Sequence, residues 1–331
     1  MNAEQESVAQ RLLDESVISR QQLAEVKAYR SLGIFSLHHE LQMLLYASVL
    51  LFTAGAGILI YENIDTIGHT AILVLLLLLC AGSYYFCFKK STGFHREEVD
   101  FDHPAYQYLV LLATILGTTF IGYWQYQYAS FGSYHEVPTL LSAALAFASA
   151  YYFDNRSALT IGTTALAAAV GITATPQTVL DNDFLGHPAL LFSGIILGIL
   201  LVGWTEYSQR TALKKHFALV FLTFAQHLLG ICCVAGLIEG FWPVYAIVLA
   251  AATFYFYKKS HAIDALSLFV FALVYAYIGW NILMFKAIDF IGLNFFSELL
   301  ILAAPLYFIG SITLFVFAIK RFNKKNDDRL R

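Results

Sequence analysis

Gln226 and His227 stand together inside an apolar run, LTFAQHLLGICC. An ionisable side chain at membrane depth is costly, and it marks a proton relay or a polar substrate contact. The plainer alternative is a neutral imidazole bonded to a neighbouring helix. The pair need not form one site, because adjacent residues point about 100° apart on a helix. Glu298 opens another apolar run and precedes Pro305 by about two helical turns. It reads as a cation or proton site beside a kinked helix, or as an acid held by the dipole at a helix start. Thr160, Thr163 and Thr164 lie between Ser157 and Ala174, a stretch made mostly of Gly, Ala, Ser and Thr. Such a stretch suits either close helix packing or a cavity wall whose hydroxyls face a solute.

Other polar residues have local readings. Glu206 either reaches the membrane interface or pairs with Arg210, one turn on. His261 and Asp264 are close in the chain and read as a second local pair. Glu62, Asp65, Glu136, Asp181, Asp183, Glu239, Asp289 and Glu298 fall on one side of the expected membrane and face one base, Lys286. That side is a candidate cation-attracting vestibule, but no two residues show metal-ligand spacing. Cys80, Cys87, Cys232 and Cys233 fall in apolar runs and read as packing residues. No nucleotide loop, nucleophile elbow or zinc motif is present, so no cofactor, metal or nucleic acid is expected. No acid, base and nucleophile converge, which argues against an enzyme.

The elements that must position these residues follow from composition. Of 331 residues, 59% are hydrophobic and 13% charged, against about 25% charged in a soluble domain. The apolar runs lack the alternation of a barrel, which leaves an all-α polytopic helical bundle in a lipid bilayer. Ten spans are expected near 41–60, 70–88, 106–122, 137–153, 157–174, 188–207, 216–237, 242–257, 261–280 and 298–319. They give a cytosolic module at 1–38, a transmembrane domain at 39–320 and a basic tail at 321–331. The module lacks the apolar core of a secretory signal.

With the N-terminus inside, every Lys and Arg except Lys286 falls on the cytosolic side, as the positive-inside rule requires. Both termini are then cytosolic, and a bacterial inner membrane is the expected location. An echo marks the inner ends of spans 2, 4, 6 and 8: SYYFCFKKSTG, SAYYFDNRSAL, GWTEYSQRTAL and ATFYFYKKSHA. Its aromatic residues suit the interface and its bases hold the turn inside. Ser157, Thr211 and Ser260 are placed to cap the next helix. Pro104, Pro138, Pro188 and Pro243 fall at or just before span starts, where a missing N–H costs little. Pro305 alone is expected inside a span, as a hinge. YWQYQY from Tyr123 reads as an outer aromatic belt.

In the N-terminal module, Val8, Leu12 and Leu13 form one apolar stripe, and Leu23, Val26 and Leu32 another. Ser19 and Gln22 between them have capping-box spacing. LLDESVISRQQLAEVKAY resembles the start of bacterial membrane proteins of domain of unknown function 2157, with Ser16 where their pattern has Gly. The resemblance is confined to that stretch and implies no activity. Two functions remain open. One is a transporter for a small polar solute or cation, with a midplane cavity among spans 4, 5, 7 or 10. The other is a sensor or scaffold whose N-terminal module, 1–38, docks a cytosolic protein.

Overall fold

The computed structural model describes residues 19, 21–24, 38–62, 68–99, 101, 105–132, 134, 136–174, 187–291 and 297–329. The chain divides into two units, Met1–Tyr61 and Glu62–Arg331. In the first, the capping box is formed: Gln22 N–H donates to Ser19 Oγ at 3.2 Å, and Ser19 N–H donates to Gln22 Oε1 at 2.8 Å. Of the two apolar stripes, Leu23 is described and buried, while Val8, Leu12, Leu13, Val26 and Leu32 lie outside the described residues. Helix α1 (His38–Glu62) exposes Leu41, Met43, Leu51 and Phe52, as an apolar helix does in lipid.

The second unit holds α2 (His69–Lys90), α3 (Ala105–Tyr128), α4 (Glu136–Phe153), α5 (Arg156–Ala174), α6 (Pro188–Arg210), α7 (Ala218–Glu239), α8 (Trp242–Ala262), α9 (Leu266–Ile291) and α10 (Ser297–Arg329). Helices α1 to α10 fall on the expected spans in order. No strand occurs among the described residues. Among these residues seven helices, all but α4, α5 and α8, are long and apolar enough to cross a membrane. Apolarity by itself therefore accounts for seven crossings. Helices α4 and α5, at 18 and 19 residues, are short and rich in small or hydroxyl side chains, and α8 ends in KKSHA.

Within the second unit consecutive helices pack as neighbours, and α7 is the hub, touching α5, α6, α8 and α9. The main core gathers Leu222, Ala225, Leu229 and Cys233 of α7 with Leu197 and Leu201 of α6, Leu249 of α8 and Leu268 of α9. A second core joins Cys87, Tyr106, Val110 and Phe153 across α2, α3 and α4. Small residues set the spacing. Gly194 and Gly198, one turn apart on α6, admit Cys232 and Leu229 of α7. All four cysteines are free thiols, three of them buried.

Helix ends follow the proline expectation at Pro188 and Pro243, each in a first helical turn, and α10 runs unbroken through Pro305. The hydroxyl caps differ from expectation. Asn155 caps α5, its Oδ1 accepting Ala158 N–H at 2.7 Å. Thr211 and Ser260 instead bond carbonyls of the helix behind them, Tyr207 and Tyr257. Thr211 closes α6 and Ser260 lies in the last turn of α8, so neither stands at the start of the next helix. In three of the turns a non-glycine residue takes the left-handed conformation, Asp154 (φ 56°), Ala212 (φ 53°) and Asp264 (φ 51°). The N–H that follows each reaches back into the preceding helix: Asn155 to Ala150, Leu213 to Ser208, Ala265 to Ser260. This closure satisfies carbonyls that a helix end leaves free. Helix α8 also runs on to Ala262, so His261 ends that helix and does not open the next.

Candidate functional site at the basic helix ends

The four echo segments are bonded to one another in chain order. Tyr84 of the first meets Ser149 Oγ of the second at 2.7 Å. Trp204 of the third donates to Tyr151 of the second at 2.8 Å. Tyr255 of the fourth donates to Glu206 of the third at 2.6 Å, and Lys259 to Glu206 and Gln209 at 2.5 and 2.6 Å. The aromatic and basic residues expected at the interface therefore also lace α2, α4, α6 and α8 together. Glu206 pairs with Lys259 across helices, because Tyr255 and Lys259 lie one turn apart on one face of α8. Glu206→Gln is expected to lower stability by about 1 kcal/mol, in the range of partly exposed ion pairs, read as the unfolding midpoint in detergent.

Beside this lacing lies a buried charge cluster that the sequence did not reveal. Lys214 is fully buried, and its Nζ donates to Asp154 Oδ1 at 2.7 Å. His216 Nε2 lies 2.7 Å from the same oxygen. Asp154 Oδ2 accepts the Val99 N–H at 2.7 Å, and Lys214 N–H donates to the Arg96 carbonyl at 2.7 Å. The ammonium stands 5.7 and 5.9 Å from the ring centroids of Phe94 and Phe217, a spacing at which ring quadrupoles attract a cation. Next to it, Asn155 Nδ2 donates to the Gln107 carbonyl at 2.9 Å. Three loops, after α2, α4 and α6, thus close on one carboxylate.

Desolvating the Lys214 charge costs several kcal/mol, which a close carboxylate offsets. Asp154 also holds a left-handed backbone, which costs about 1 kcal/mol for a residue with a Cβ. The carboxylate explains why glycine does not stand there. Both of its oxygens are engaged, so the cluster acts as a clasp between loops. Asp154 and Lys214 sit in different loops, with α5 and α6 between them in the chain, and read in sequence as ordinary loop charges. Nothing in their spacing pairs them, because two whole helices separate them in the chain.

The membrane-depth residues lie elsewhere. His227 Nδ1 is 2.9 Å from Tyr275 OH on α9, and its ring meets Phe271 and Tyr275 edge to face. Gln226 Nε2 donates to the Leu268 carbonyl of α9 at 2.8 Å, while its buried Oε1 has no partner among the described residues. Both residues therefore cross the same α7–α9 seam. Thr160, Thr163 and Thr164 each bond a carbonyl one turn back in α5, those of Arg156, Leu159 and Thr160. Glu298 lies in the first turn of α10, with its side chain outside the described residues. Pro305 is exposed on α10. At the opposite end, the YWQYQY belt joins α3 to α2, with Tyr123 OH 2.8 Å from His69 and Tyr128 OH 2.9 Å from Thr70.

A groove of about 1020 Å³ separates α9 from α10. Leu273, Ala276, Trp280, Leu314 and Phe317 give it apolar walls. Midway, Tyr277 OH and Ser311 Oγ are 3.1 Å apart, and Tyr307 donates to Asn281 Oδ1 at 3.1 Å. His261, Arg321 and Phe322 close the end nearest the basic loops.

Comparison with known sequences bears on the N-terminal part of the chain. Residues 10–159 match the family described as Predicted membrane protein (DUF2157). The match extends the resemblance of the N-terminal motif through α1 to α4 and into α5. No curated protein and no solved structure matches the chain. With its apolar helices, the match makes this a multi-pass membrane protein in a lipid bilayer. Among the described residues no cluster of three metal-ligating side chains occurs.

Proposed function

We propose that the protein is a transporter-like membrane protein of ten spans that admits its ligand through the groove between α9 and α10. The observation that carries this reading is the groove itself. Its volume is that of a small-molecule site, about 300–1,000 Å³, and a few polar groups interrupt apolar walls in the same way. Pro305 adjoins the groove at Leu306 and Tyr307, where a missing backbone bond gives α10 a hinge. Helix α9 lines the groove with Tyr277 and bonds His227 through Tyr275, so a shift of α9 would reach the α7 seam. Gln226, Glu298, Thr160, Thr163 and Thr164 remain proposed contacts of the pathway. Both termini are placed in the cytosol of a bacterium, since that choice puts every base but Lys286 inside.

The test is a thermal-shift screen of detergent-purified protein against ions, amino acids, sugars, nucleosides and lipids. A ligand of the folded state raises the melting temperature. Gly310 lines the groove with nothing within 4 Å of an added Cβ, so Gly310→Phe is expected to keep the fold and abolish the shift. His227→Ala is expected to keep the folded yield and reduce flux in proteoliposomes. A shift that survives Gly310→Phe overturns the groove as the ligand site. A second reading, a scaffold docking a cytosolic protein at the N-terminal module, 1–38, draws on the formed Ser19–Gln22 cap, which marks a helix start in that segment. It gains if no compound in the panel shifts the protein.

A further inference from the structure

We infer that the α9–α10 groove takes an anionic lipid, with its phosphate at Arg321 and His261 and an acyl chain along the α10 wall. The inference rests on the groove being the ligand site. Its walls run from Leu306 to Arg321, about 22 Å of helix at 1.5 Å per residue. That exceeds half of a hydrocarbon core about 30 Å thick, so a chain from one leaflet fits along it. The surface a chain would touch is apolar and aromatic: Leu273, Trp280, Leu314 and Phe317.

Charge sets the orientation and the class of head group. His261 and Arg321 stand at one end of the lining, and among the described residues no Asp or Glu lines the groove. Among the described residues, no carboxylate pairs with Arg321, whose side chain is exposed. His261 is held against Phe322, with ring centroids 4.7 Å apart, and its Nδ1 lies 2.8 Å from the Tyr257 carbonyl. Those contacts fix the imidazole at the same end of the groove as the guanidinium. A guanidinium binds phosphate oxygens through paired N–H donors, and basic pockets between helices on the cytosolic side recognise lipid head groups. The site also lies at the membrane end where the Lys- and Arg-rich turns gather. A small polar solute would leave most of the apolar wall unused.

The experiment adds phosphatidylglycerol, phosphatidylcholine or glycerol 3-phosphate to the full-length protein in detergent and reads the melting temperature. Phosphatidylglycerol is expected to raise it by about 3 °C or more, and the other two by less than half of that. Arg321→Gln is expected to remove the preference for phosphatidylglycerol, and Gly310→Phe to remove the shift altogether. Equal shifts from both lipids, lost in Gly310→Phe, would overturn the anionic head group and leave the groove standing. A full shift from glycerol 3-phosphate would overturn the lipid. Lipid shifts that persist in Gly310→Phe would overturn the groove and this inference together. Circular dichroism of each variant separates misfolding from lost binding.

Discussion

Asp154→Asn is expected to cost the folded protein about 3–5 kcal/mol, the cost of removing one partner from a buried ion pair. The amide keeps the side-chain volume and still accepts the Val99 N–H, so packing is nearly unchanged. What is lost is the charge that faces Lys214, which is fully buried, and His216 at the same oxygen. The ammonium must then stay charged in a dry site or move the loop after α6 into solvent. The diagnostic is the double variant Asp154→Asn, Lys214→Met. A methionine fills most of the lysine's volume without its charge, and such replacements are often neutral or better. The double variant should regain most of the stability lost by the single one. Unfolding midpoints in mixed micelles read both. A loss below about 1 kcal/mol in the single variant, the level of an exposed pair, would mean that the clasp does not hold the three loops together.

Gly230→Ala should destabilise the α7–α9 seam by about 1–3 kcal/mol, the usual cost of overpacking. A Cβ at Gly230 would lie 2.6 Å from three ring carbons of Tyr275, closer than any relaxed contact. Gly230 stands one turn beyond His227 on α7, so the bare backbone lets the Tyr275 ring lie flat and its hydroxyl reach the imidazole. Pushing the ring away breaks that bond and leaves two polar groups unpaired at membrane depth. Gly122→Ala is the control, since nothing lies within 4 Å of its added Cβ, and it should be neutral or slightly stabilising. If the two alanine variants unfold alike, the close approach of Tyr275 is not a constraint.

Both predictions concern contacts that the sequence hid, and the reason is distance along the chain. Helices are legible because a long apolar run carries its own structural cause: in hydrocarbon every backbone group must be satisfied within the segment. Hence each expected run is a helix, though α9 and α10 run about ten residues past their expected ends, and Pro188 and Pro243 fall in first turns. The Ser19–Gln22 cap is legible for the same reason, since its two bonds stay within one helical turn. Side-chain partnerships between helices have no such local cause. Spacing on one helix matches Glu206 to Arg210, yet the rotation of α6 against α8 gives it Lys259 and Tyr255.

By itself, then, the sequence determined the solvent, the elements and the expected side of the membrane for each turn, because lipid and the positive-inside rule act on each segment separately. The echo told where α2, α4, α6 and α8 end. Only the tertiary structure decided that those ends bond to one another, that Asp154 and Lys214 meet away from water, and that α10 stands off α9 to leave a groove. Those outcomes depend on which faces of separately formed helices come together. In a membrane, where lipid is as apolar as leucine, small residues and polar bonds select those faces.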